Sequence, residues 1–343
     1  MAPIIVFFLL TLFSYINVSY IRQLALQHQI LDHPNERSSH SIPMPRGGGL
    51  AIVILVLALS LWVANQTELN RSVLYIVLSA ILAMVGWRDD LFSLPPYYRF
   101  LVQGLVATIS ILGMGYFRIV RIPLLGELDL GAVGIVITFL WIIGMINAYN
   151  FMDGIDGMAG GVAVVAGLGW MILSSNVQNP FVFWVALSIA ATSLGFLGHN
   201  WPPAKIFMGD VASTFLGYSF AALPLLSADQ SGDALTMGTL LMWTVIMDTF
   251  LTFLRRLVKG ENILSGHRLH LFQQLVMGGY KHGTISALYI FLTFLAGLLT
   301  YESTHGDQVA PFLIFLGLPL IWTLLLIHAA RLHSAVLAPE QQI

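Results

Sequence analysis

Residues 131–148 read GAVGIVITFLWIIGMINA, and the ten that follow, 149–158, read YNFMDGIDGM. The first run holds no charged side chain and, at about 1.5 Å per residue, nearly spans the roughly 30 Å hydrocarbon layer of a bilayer. In lipid every backbone N–H and C=O must pair within the segment, so such a run has to be helical. The second run packs Asn, Asp and Gly into a short stretch where the apolar character stops. A tight loop projecting both aspartates inward explains Asp153 and Asp156 better than a purely structural role does. The fold is therefore read from this alternation: apolar helix, then a polar loop bearing chemistry.

The same alternation runs the length of the chain. Of its 343 residues 57% are hydrophobic and only 9% charged, whereas a soluble domain carries about a quarter charged residues. Apolar segments fall at 4–20, 48–65, 72–87, 99–116, 131–148, 159–175, 180–198, 212–227, 235–254, 284–301 and 311–330. None alternates apolar and polar residues as a membrane β-barrel strand would. We expect an all-α, polytopic transmembrane helical bundle of about 11 spans, forming a single integral membrane domain over 1–343. The stretch 4–20 lacks a basic flank and a small-residue cleavage site, and is read as a retained first span. With no cysteine, disulfides, thiolate nucleophiles and cysteine metal sites are excluded. A formal net charge of −2 gives no reason to expect a nucleic-acid partner.

Basic residues orient the spans. With the N-terminus outside and the C-terminus inside, Arg22, Arg37, Arg46, Arg88, Arg99, Lys205, Arg255, Arg256, Lys259, Arg268, Lys281 and Arg331 lie inside. Only Arg71, Arg118 and Arg121 lie outside. This topology puts five loops on the inner side, at 21–47, 88–98, 149–158, 199–211 and 255–283, and every dense polar cluster falls in them or at their helix ends. The outer loops are plain connectors, except 117–130, whose Pro123 and Gly126 suggest a small hairpin.

The first inner loop carries His40 and then Pro45-Arg46-Gly47-Gly48-Gly49. Three glycines let the backbone approach a ligand closely, and Arg grips phosphate in a bidentate way; a flexible turn with positive-inside residues is the alternative. The second opens with Asp89-Asp90. Adjacent carboxylates at a membrane helix end repel each other unless a cation compensates them, and Mg²⁺ favours carboxylate oxygens together with retained waters; a solvated charge pair is the alternative. The fourth runs His199-Asn200-Trp201-Pro202-Pro203-Ala204-Lys205-Ile206-Phe207-Met208-Gly209-Asp210. Phe207 reads either as a stacking surface for a base or as an interfacial anchor. Asp210 reads as a ligand or as an N-cap. The fifth carries His267-Arg268-Leu269-His270, where the central Arg points to an anion such as a diphosphate rather than to zinc. Asp248, two turns inside a span, is a functional suspect because of where it sits, with a structural pairing to a nearby Arg as the alternative.

Taken in order, these five motifs resemble the polyprenyl-phosphate N-acetylhexosamine-1-phosphate transferases, a family sharing a superfamily with phospho-N-acetylmuramoyl-pentapeptide transferase. The resemblance covers about residues 30 to 282. It implies a Mg²⁺-dependent phosphoglycosyltransferase, with Mn²⁺ as a substitute ion, that moves an N-acetylhexosamine 1-phosphate from a UDP-sugar to undecaprenyl phosphate and releases UMP. It assigns Asp89 and Asp90 to the acceptor phosphate and the metal region, Asp153 and Asp156 to the metal and uracil, and Asp210 with Asp153 to the metal. Asn150, Gly154, Asn200 and Phe207 fall to the substrate, as do His40 and Arg46. His267, Arg268 and His270 face the donor diphosphate. Many relatives carry a lysine after the aspartate pair; here Leu94-Pro95-Pro96-Tyr97-Tyr98 leads to Arg99, which stands in for that charge. Three consecutive histidines are absent, so the chain looks more like the branch that starts O-antigen or related surface glycans than like the muramoyl-pentapeptide enzyme. The resemblance also implies a bacterial inner-membrane protein with its active site on the cytoplasmic face, and makes a homodimer plausible. A secondary transporter is the reading from another class; it would place polar groups near the midplane within internal repeats.

Overall fold

Segments that are apolar all round have no polar face to steer them, so small residues and hydroxyls select which helices meet. The computed structural model describes residues 2–34, 42–65, 69–177, 179–227, 233–261 and 269–337; His40, His267 and Arg268 lie outside the described residues. Its helices are α1 (Ala2–Gln27), α2 (Leu50–Ala64), α3 (Leu69–Phe92), α4 (Pro96–Met114), α5 (Val133–Met152), α6 (Met158–Val177), α7 (Pro180–Asn200), α8 (Asp210–Ser227), α9 (Ala234–Leu241), α10 (Trp243–Val258), α11 (Leu271–Met277), α12 (His282–Thr304), α13 (Ala310–Phe312) and α14 (Leu318–Leu337), the last two joined by a π-helical turn, Leu313–Gly317. A two-residue pair, β1 (Leu31–Asp32) with β2 (Met44–Pro45), lies between α1 and α2. The expected hairpin in 117–130 is present: β3 (Ile119–Ile122) pairs antiparallel with β4 (Gly126–Asp129).

The protein is an all-α, multi-pass membrane protein. Among the described residues seven helices are long and apolar enough to cross a membrane, or eight if a bent pair counts as one span. Nine of the eleven expected apolar runs each fall on one helix, 235–254 and 311–330 are each divided between helices, and not every run yields a helix long and apolar enough to cross a membrane on its own. At 15 residues α2 reaches only about 22 Å. The expected span 235–254 breaks at Met242 into α9 and α10, bent by 77°, with no proline or glycine at the break.

At the centre stands α8, whose residues from Val211 to Ser227 are all buried. It packs on α3 and α5, and needs no apolar contact with lipid because protein encloses it. Gly217 permits the approach to α5: a Cβ there would lie 2.8 Å from the Met145 carbonyl oxygen. Paired hydroxyls join α8 to α3 and to α4, Tyr75 Oη to Ser219 Oγ and Tyr218 Oη to Ser110 Oγ, both at 2.9 Å. Large apolar side chains such as Phe8, Leu112 and Leu316 are exposed on the periphery, as a lipid-facing surface requires.

Candidate active site

The first N–H groups of a helix have no partner within it, and the buried start of α8 meets that need from another helix. The end of α3 runs beneath it. Asp90 Oδ1 accepts the Asp210 N–H at 2.9 Å and Asp90 Oδ2 accepts the Val211 N–H at 3.1 Å. A carboxylate at the positive end of the helix dipole is favoured there. Two glycines make room: Gly209, at φ +82°, where a Cβ would lie 2.6 Å from Asp90 Oδ2, and Gly86, where a Cβ would lie 2.3 Å from the Asp210 carbonyl oxygen. Because that second obstacle is backbone, Gly86→Ala should displace the start of α8. We expect activity to fall at least tenfold with the protein still inserted in the membrane, measured as turnover per folded molecule.

The neighbouring groups converge on Asp210. Asn150, in the last turn of α5, donates from Nδ2 to Asp210 Oδ1 at 2.8 Å and to Ser213 Oγ at 2.8 Å. Arg99 Nη1, in the first turn of α4, donates to Asp89 Oδ2 at 2.6 Å and to Asp210 Oδ2 at 3.4 Å. Asp89 Oδ1 also accepts the Leu94 N–H at 2.5 Å. Arg46 bonds the Asp90 carbonyl oxygen through Nη2, and its Nη1 lies 3.9 Å from Asp90 Oδ1. The glycine run after Arg46 is held against the fourth loop by backbone pairing: Phe207 N–H to Pro45 O, Gly48 N–H to Phe207 O and Gly49 N–H to Met208 O, at 2.8, 3.0 and 2.9 Å. Asp153 follows the end of α5. Loss of solvent pushes its carboxyl well above the usual carboxylate range, with the Asp210, Asp90 and Asp32 charges adding to the rise and the Gly209 N–H opposing it.

Asp89, Asp90, Asp153, Asp210, Asn150, Arg46 and Arg99 thus form one cluster. Asp156 and Asn200 are held nearby by other bonds. Asp156 Oδ2 accepts the Ala204 N–H at 3.0 Å, Oδ1 lies 3.5 Å from His282 Nδ1, and its carbonyl accepts Ser286 Oγ at 2.7 Å. Asn200 is buried; its amide joins Gly157 N–H at 2.9 Å to Ile206 O at 3.0 Å. A Cβ at Gly154 would touch the Phe272 ring at 3.0 Å. Phe207 is partly buried. His270 meets Phe151 with ring centroids 5.8 Å apart, one residue from Asn150. The motifs did not single out Ser213, Asp32 or His282. Ser213 alone had a local signal, three residues after Asp210 on one helix face.

Four carboxyl groups face two guanidinium groups here, an excess of acidic over basic groups whose ionised forms a bound cation would favour. Among the described residues no group of three or more His, Asp or Glu side chains is arranged to hold a metal ion. Mg²⁺ is commonly held by one or two carboxylates and completed by waters and substrate phosphates. With Asp90 engaged on α8 and Asp89 on Arg99 and Leu94, Asp210 and Asp153 fit that donor set best.

Residues 72–228 match the model of glycosyl transferase family 4. The chain is 33% identical over 299 residues to a Bacillus subtilis protein named "Probable undecaprenyl-phosphate N-acetylglucosaminyl 1-phosphate transferase", covering 85% of this chain and 82% of that one. It is 29% identical to the "Undecaprenyl-phosphate alpha-N-acetylglucosaminyl 1-phosphate transferase" of Yersinia pestis, covering 87% and 82%. It is 28% identical to the "Decaprenyl-phosphate N-acetylglucosaminephosphotransferase" of Mycolicibacterium smegmatis, covering 82% and 78%.

Proposed function

The chain belongs to glycosyl transferase family 4, among the polyprenyl-phosphate N-acetylhexosamine-1-phosphate transferases, and from that membership we propose that it transfers N-acetylglucosamine 1-phosphate from UDP-N-acetylglucosamine to undecaprenyl phosphate, releasing UMP. The observation that carries this is the similarity to the Bacillus subtilis transferase over 85% of the chain. The relatives named above act on N-acetylglucosamine, which disfavours a muramoyl-pentapeptide donor, and a transporter has no support among them. The product is the lipid-linked first sugar of a surface glycan, made on the cytoplasmic face of the inner membrane, where nucleotide sugars are available.

In the proposed reaction an oxygen of the lipid phosphate attacks the sugar-linked phosphorus, the bond from that phosphorus to the UMP oxygen breaks, and UMP leaves. A phosphate monoester has its second pKa near 6, so the nucleophile is already largely ionised at neutral pH and needs no dedicated base. The protein's part is to position and to neutralise charge. Mg²⁺, held by Asp210 and Asp153, would neutralise diphosphate oxygens. Arg99 spans Asp89 and Asp210, and suits the acceptor phosphate by offering its remaining donors from between those carboxylates. Arg46 steadies Asp90, and Asn150 orients Asp210. Phe207 offers a ring to the uracil, while His267, Arg268 and His270 meet the donor diphosphate.

Purified protein given undecaprenyl phosphate, Mg²⁺ and a panel of UDP-sugars should release UMP with UDP-N-acetylglucosamine. Release with a different UDP-N-acetylhexosamine alone would move the donor assignment, and no release from any sugar would sink the transferase reading for this chain.

A further inference from the structure

Asp248 is the one acidic residue of α10, and the proposed reaction leaves it without a task. It is 1% exposed, and isolated charge at such a place is costly unless fully bonded. Its bonds run to three elements. Oδ1 accepts the Leu271 N–H at 2.7 Å and lies 3.4 Å from His270 Nδ1. Oδ2 accepts Tyr289 Oη–H of α12 at 2.7 Å and the Phe272 N–H at 3.4 Å. Thr252, one turn further along α10, donates to Oδ1 at 3.4 Å. The expected alternative, a pairing with a nearby Arg, is not what these bonds describe.

His270 is held on its faces as well as at its edge. Its ring stacks on Phe272 with centroids 5.7 Å apart and an interplanar angle of 18°, and tilts against Phe151 at 5.8 Å. A carboxylate beside one ring nitrogen favours the tautomer protonated there and restrains the ring's rotation. Nε2 is then the nitrogen turned away from Asp248.

We propose that Asp248 is a positioning residue that fixes the rotation and tautomer of His270, so that Nε2 meets the donor substrate. The inference rests on the transfer reaction proposed above, with His270 on the donor side. Asp248 does not touch substrate; it acts through His270 and through the first turn of α11.

The test is kinetic, with a double-mutant cycle. Asp248→Asn should lower kcat about 10–100-fold, the range for loss of a partner that orients a functional histidine. The KM for UDP-N-acetylglucosamine should rise about tenfold, with the KM for undecaprenyl phosphate unchanged. In a His270→Ala background the same substitution should add less than about twofold, because the two residues act as one unit. Fully additive effects, or equal changes in both KM values, would overturn the proposal, as would loss of thermal stability alone with the kinetic constants intact. Tyr289→Phe removes one bond to Asp248 and keeps the ring; it should give a weaker shift of the same donor-specific kind, and the opposite selectivity would overturn the proposal even if Asp248→Asn failed to fold. Nitrogen-15 spectra of histidine-labelled protein supply a readout free of turnover. His270 should carry its proton on Nδ1 in the wild type and lose that preference in Asp248→Asn. Were the wild type to release no UMP, the transfer reading would fall while these spectra still judged the positioning.

Discussion

Asp210→Asn should reduce UMP release by about 10²–10³-fold, the cost of removing one well-placed electrostatic group from a reacting centre, and should change how activity depends on Mg²⁺. The substitution is close to isosteric. The amide oxygen can still accept from Asn150 Nδ2, which now lies 2.8 Å from Asp210 Oδ1, so α8 keeps its place. Asp90 bonds the backbone of residue 210 rather than its side chain, and that cap is retained too. What disappears is one negative charge. The two roles open to that charge predict different titrations. If it ligates Mg²⁺, more ion should be needed for half-maximal rate and the maximal rate should stay low. If it serves only as a counter-charge for Arg99, 3.4 Å away, the ion dependence should match the wild type. A UMP assay across Mg²⁺ concentrations in both proteins separates the two, and full activity with normal Mg²⁺ dependence would remove the metal assignment.

How far the site could be read from sequence depended on the range of the interactions involved. Apolar runs broken by acidic, glycine-rich loops were enough for an all-helical membrane protein, because lipid leaves so few backbone solutions. Sorting the loops by basic residues grouped segments that the structure joins: Pro45 with Phe207, Asp90 with Asp210, Asn150 with Asp210, Asp156 with Ala204. Direction was not legible. Asp89 and Asp90 are neighbours in one motif, yet one turns to Arg99 and the other to the backbone of a helix 120 positions away. That difference arises from the close passage of α3 and α8 at Gly86 and Gly209, which no local period records. The bend at Met242 was hidden for a similar reason. Residues 235–254 carry one charge, Asp248, and no proline, and tertiary packing rather than a proline or glycine at the break decides where that run turns.

The passage of α3 beneath α8 makes Asp90→Ala the substitution with the largest expected effect on stability. Asp90 is 3% exposed, and both its oxygens are occupied by N–H groups at the start of a helix that is buried along its length. Alanine leaves those two donors without a partner, at about 1–3 kcal/mol each when water cannot reach them. Arg46 also loses its carboxylate, but its side chain is 24% exposed and the contact is 3.9 Å, so that loss is largely screened and adds little. The sum is about 2–6 kcal/mol, a large part of the stability of an ordinary domain. Asn at position 90 keeps one acceptor oxygen and should lose about half as much. Asp89→Ala gives up one backbone N–H, that of Leu94, and a bond from the more exposed Arg99, and should cost less than either. Half-lives for thermal inactivation in detergent should therefore rise from Asp90→Ala through Asp90→Asn to Asp89→Ala. Catalysis should follow a separate course: Asp90→Ala loses activity because Asp210 moves with its unpinned helix, whereas Asp89→Ala loses it while the fold persists, through misdirection of Arg99. An Asp90→Ala protein as durable as the wild type would show that α8 is anchored by other means, and that this carboxylate is available to the chemistry after all.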